Sequence, residues 1–212
     1  MKKFTVTLIV YGLLLVGCSH KEQLETSDSA VKSNLETKID EDSKKSTEPV
    51  TKVYDKEIGM WLKEINAMLS APLDDPRLKE ANNDEGFEYY LKAQKVMELY
   101  PNTEVLSGTE FGIEYENLFL LSSYIGHVQF VRTAHLDSYG QAKEDTSLSD
   151  QWKPTEDDMR QAFEYMRQLV NDLNIAFNHG GKGETFGVTH LLKGDKVSEL
   201  EAFVTGESSR ME

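Results

Sequence analysis

Between residues 54 and 69 the apolar positions Tyr54, Ile58, Trp61, Leu62, Ile65, Met68 and Leu69 recur at steps of three and four. That is the period of a helix buried on one face, and the spacing predicts a helix from about Val53 to Leu69, ended by Pro72. Asp75-Pro76 is a helix start, an N-cap followed by proline at the first helical position, with room for only a short turn to about Ala81. Asn82-Asn83-Asp84 breaks and restarts the chain. A second long helix follows from about Glu85 to Tyr100, its core side marked by Phe87, Tyr90, Leu91 and Met97, and Pro101 stops it. Ser107 and Glu110 have capping-box spacing and open a third long helix, predicted to reach about Tyr139. Its large apolar residues, from Phe111 and Leu118 to Val131, fall on most sides, which predicts a helix surrounded by others. Pro154-Thr155 opens a fourth, with the stripe Met159, Ala162, Phe163, Met166, Leu169, Val170, Leu173 and Phe177. Asn178-His179-Gly180-Gly181 ends it. Val197, Leu200, Phe203 and Val204 predict a last short helix, ending at Gly206. No stretch shows the sustained period-two alternation of strands. The expected fold class is all-α: a helical bundle of four main helices plus short helices, over residues 53–212.

The N-terminus obeys a different rule. Lys2 and Lys3 precede an almost unbroken apolar run, Phe4 to Val16, and Gly17 and Cys18 follow. A basic start, an apolar run and a small residue at the cut make a secretory signal. Thirteen residues fall short of the ~20 that a membrane-crossing helix needs. The order Leu15-Val16-Gly17-Cys18 resembles the lipobox of bacterial lipoproteins. In that family the cysteine thiol is diacylated and the peptide bond before it is cut. The resemblance covers these residues alone, and Cys18 is the one cysteine in the chain. It implies a signal peptide over residues 1–17, lipidation at Cys18, and attachment to the membrane through acyl chains. It also implies a place on the extracytoplasmic face of a cell membrane.

From Ser19 to about Lys52 the chain is Lys, Glu, Asp, Ser and Thr with scattered Leu, Val and Ile. Such a segment cannot bury enough apolar surface to offset its ordering entropy, so residues 18–52 are read as the lipidated cysteine and a flexible tether. Leu24, Val31 and Leu35 offer a transient helix at near-heptad spacing. A Lys/Glu/Ser/Thr tether favours a Gram-positive cell membrane over a Gram-negative outer membrane.

Charge then narrows the partners. The chain carries a formal net charge of −14, and residues 53–212 hold 15 Lys+Arg against 29 Asp+Glu. A field of that sign repels phosphate backbones and anionic lipid head groups, so no nucleic acid is expected as a partner. A protein or cell-wall partner is.

Candidate chemistry is sparse. His127 and His135 lie eight residues apart on one predicted helix, about 80° and roughly 12 Å from each other. No Glu-x-x-His or His-Glu-x-x-His occurs, so neither a metal nor a cofactor is expected. The loop Gly180-Gly181-Lys182-Gly183-Glu184-Thr185-Phe186-Gly187 has neither Walker nor dinucleotide-fingerprint spacing and is read as a flexible turn. Glu110, Glu114 and Glu116, like Glu156, Asp157 and Asp158, sit where a helix dipole attracts acids. The aromatic residues, among them Trp61, Phe111, Phe119 and Phe163, fall on core stripes. Two readings follow. The first is a non-enzymatic lipoprotein that binds a partner in the cell envelope. The second is a helical hydrolase or small-ligand-binding lipoprotein with a cleft near Gly180–Gly187. A polar pocket holding His179 or His190 beside carboxylates would favour the second.

Overall fold

Six α-helices order the described residues: α1 Pro49–Ser70, α2 Pro76–Glu80, α3 Glu85–Glu98, α4 Glu110–Thr133, α5 Asp157–Asn178 and α6 Val197–Val204. Short 3-10 turns at Thr146–Gln151 and His190–Leu192 lie before and after α5. The computed structural model describes residues 49–100 and 110–206; the signal run, Cys18, the tether up to residue 48, and Ser107 lie outside them. The described residues form an all-α fold, without strands.

α1 begins at Pro49, four residues before Val53, with proline at the position where a missing amide costs nothing. Asp75 caps α2 by accepting from the Arg77 amide at 3.0 Å, as the Asp75-Pro76 pair predicts. Asn82 and Asn83 both take φ 55, the left-handed conformation that asparagine tolerates better than most residues, and so turn the chain into α3. Asp84 then caps α3 by accepting from the Phe87 amide at 2.7 Å.

α4 stops at Thr133, six residues short of Tyr139. The Thr133 hydroxyl bonds back to the Gln129 and Phe130 carbonyls, and the Asp137 carboxylate gathers the amides of Tyr139, Gln141 and Ala142 into a turn. These local side-chain bonds offer the backbone an alternative to the next helical turn. α5 starts two residues later than Thr155 predicts, with Glu156 at the cap position and no side-chain cap bond.

The core lies where the four long helices meet. α5 packs against α1, α3 and α4, and α4 packs against α3, α5 and α6. Leu62, Ile65, Leu118, Leu121, Ile125, Met159, Met166, Leu169 and Leu173 are fully buried between them. Each such side chain contributes about 1.5–3 kcal/mol of transfer free energy.

Two buried cations tie the ends together. The Lys92 ammonium donates to the Leu69 and Ala71 carbonyls at 3.3 and 2.7 Å, closing the C-terminus of α1, where the dipole favours a cation. Arg132, 2% exposed, forks onto Asp84 at 2.9 and 2.8 Å and donates to the Lys153 carbonyl at 2.7 Å. It thereby joins the start of α3, the end of α4 and the loop into α5. Gly86 makes this possible, since a Cβ there would overlap the Arg132 guanidinium.

α4 departs from expectation in a second respect: other helices do not surround it. Ile113 (47%), Phe119 (49%) and Val131 (45%) face solvent, so Phe119 is no core aromatic.

Candidate functional site

The segment after the Gly-rich loop is held by two carboxylates that have left water. Asp172, on α5, has no exposed surface and accepts from the amides of Phe186, Gly187 and Val188 at 2.8, 2.9 and 3.1 Å. Three amides converging on one carboxylate satisfy it as fully as solvent would. Glu114, on α4, is equally buried and accepts on one oxygen from the Thr189 hydroxyl (2.7 Å) and the His190 amide (2.6 Å). Its Oε2 is buried without a partner, as is Nδ2 of Asn117, one turn further along α4. Burial holds the Glu114 carboxyl above its ordinary range, and the bonds from Thr189 and His190 offset part of that rise. Residues 186–190 are therefore fastened, so the C-terminal end of the Gly-rich loop is not the free turn its glycines suggest. Gly187, at φ 81, also lets the following turn close over it: a Cβ there would collide with the Asp195 carboxylate.

Beside this latch, α4 and α6 enclose a groove of about 420 Å³. Ile113, Leu120, Ala202 and Val204 line it together with the polar Glu116, Asn117 and Glu201. The His190 ring lies 2.7 Å from a Glu201 oxygen.

A second depression, again about 420 Å³, lies near Gly180–Gly187, where the alternative, ligand-binding reading puts a cleft. Its lining is Ala176, Phe177, Gly180, Gly181, Leu191 and Leu192, apolar apart from backbone. His179 and His190 are both exposed, and neither is among its lining residues. His135 contacts the Gln151 carbonyl at 3.0 Å, and His127 is exposed on α4. Among the described residues no group of three or more His, Asp or Glu side chains is placed to hold a metal ion. No helix among them is long and apolar enough to cross a membrane.

The two acidic clusters differ in burial. Asp157 pairs with Arg160 at 2.7 Å and Asp158 lies 3.5 Å from the Tyr124 hydroxyl, both at the surface. Glu114 differs because its register places it among Phe111, Leu118, Leu121 and Ile125, the inward stripe of α4. A carboxylate in that stripe was the available signal for a buried latch. Asp172 gave none, since it lies about 100° from Leu173 on α5 and off the apolar stripe. Comparison with protein-family models, with curated proteins and with solved structures gives no match.

Proposed function

We propose that this chain is a lipid-anchored, non-enzymatic binding module of the bacterial cell envelope. It would be held at the extracytoplasmic face of a cell membrane, with a Gram-positive membrane favoured by the tether composition, through acyl chains on Cys18. The observation that carries the reading is Leu15-Val16-Gly17-Cys18 behind a basic, apolar leader, with no second cysteine in the chain. The folded part supports the binding half of it. Its polar clusters engage the fold itself: Asp172 and Glu114 hold backbone, and Arg132 holds caps. What the surface offers outward is negative charge and apolar side chains on α4. A protein or cell-wall partner bearing basic groups suits such a surface, because opposite charge speeds encounter.

The ligand-binding alternative keeps one observation, the apolar depression at Phe177 and Leu191, which would take a small apolar molecule. Cys18→Ser separates anchored from secreted protein. The variant is expected either uncut or released into the medium, read by fractionation and immunoblot. A variant that stays in the membrane and is processed as the wild type is would overturn the anchoring.

A further inference from the structure

We infer that α4 is also a pairing helix, and that its outer face docks antiparallel against the same face of a second copy of this chain. The inference goes beyond the anchoring reading and does not depend on it.

A surface helix needs one apolar stripe, facing the core. α4 has that stripe in Phe111, Leu118, Leu121 and Ile125, all buried. On the opposite side a second run keeps the same spacing and is apolar at three of its six positions. Ile113, Glu116, Leu120, Ser123, His127 and Phe130 recur at steps of three, four, three, four and three, which is the seam spacing of paired helices. At 100° per residue the middles of the two stripes lie about 180° apart. The outer seam is exposed at Ile113, Glu116, Ser123 and His127 and half-buried at Leu120 and Phe130, with exposed Phe119 and Val131 beside it. Of the five large apolar residues that the described part of the chain leaves exposed, three are on this one helix. By contrast, the exposed positions of α5 are all polar: Asp157, Asp158, Arg160, Gln161 and Asn178.

The occupant is identified by the symmetry of the seam. A two-fold axis passing between Leu121 and Ser122 maps the seam onto itself. Ile113 then meets Phe130 of the second copy, Leu120 meets Ser123, and Glu116 meets His127. The seam's one carboxylate therefore faces its one imidazole, on both sides of the axis, as an isologous contact requires. A parallel pairing in register would instead set Glu116 against Glu116. The rest of the domain is acidic, so a copy of itself is tolerated only along a face this poor in carboxylates.

The test uses the full-length chain in whichever fraction of its own cells holds it, membrane or medium, with Ser123→Cys or Ile113→Cys introduced separately and a short thiol-to-thiol crosslinker added. Crosslinked peptides are then read by mass spectrometry. Residue 123 lies close to the axis, whereas the two copies of residue 113 would stand about 26 Å apart along the seam. A covalent dimer through residue 123, with little or none through residue 113, is expected. Glu116→Lys and His127→Glu should each lower the yield several-fold in the Ser123→Cys background, and the two together should restore it. A Ser123→Cys chain that is folded by circular dichroism yet gives no dimer overturns the inference. So does equal crosslinking at residue 113, and so does a product whose mass includes a different protein. The parent chain, whose one thiol is that of Cys18, is the control: crosslinking there counts against lipidation, not against the helix pairing.

Discussion

Glu114 sits wholly out of solvent with one oxygen doubly bonded and the other unbonded. Burial raises its folded pKa above the ordinary value of 4.5, so the folded state holds its proton to higher pH than the unfolded chain does. Its contribution to stability is therefore most favourable below pH 4.5 and falls as pH rises through the folded value. Glu114→Gln keeps an acceptor for Thr189 and His190 and removes the charge. Thermal melts should show the variant at least as stable as wild type at pH 7, with a flatter decline between pH 4.5 and 7. A variant that loses stability at pH 7 as strongly as an alanine substitution would show that the charge itself is needed. Asp172 is the contrasting case, because every lone pair in use meets an amide. Asp172→Asn turns an amide group toward donors it cannot accept and should cost about 2–4 kcal/mol. Hydrogen exchange at residues 186–188 should quicken with it; unchanged exchange would mean the loop is held by something else.

At the scale of elements, proline and asparagine marked most boundaries in the sequence: Pro72, Pro76 and Asn82-Asn83 each stand where a helix ends or starts. The end of α4 was not legible, because Val131, Leu136 and Tyr139 continue the apolar content past the point where Thr133 and Asp137 turn the chain. Nor was the exposure of Phe119, since composition cannot say which side of an apolar helix a fold leaves open. Three-dimensional proximity also decides the glycines. Gly86→Ala gains up to ~1 kcal/mol of helix propensity. It nevertheless displaces Arg132 from Asp84, and should destabilise by about 1–3 kcal/mol in urea unfolding. Gly126→Ala, whose Cβ would meet Tyr90 at an ordinary 4.0 Å, should be neutral or stabilising. Equal losses at both would mean the guanidinium fork is not what Gly86 protects.

For the whole molecule, the sequence foretold an all-α class from helical periodicity, and the described residues have it. It foretold little of the latch, because the carboxylate and the backbone it binds, Glu114 and His190, stand 76 residues apart. The functional reading rests instead on the leader, where chemistry is encoded in adjacent residues and needs no fold. Its central claim is that a lipid on Cys18 carries an acidic helical module at the membrane surface. Mass spectrometry of the N-terminal peptide, released from membrane-extracted protein, tests this most directly. The account predicts a mature chain that begins at Cys18 with its sulfur in a thioether to diacylglycerol. A mature chain that begins elsewhere, or at an unmodified Cys18, would contradict it.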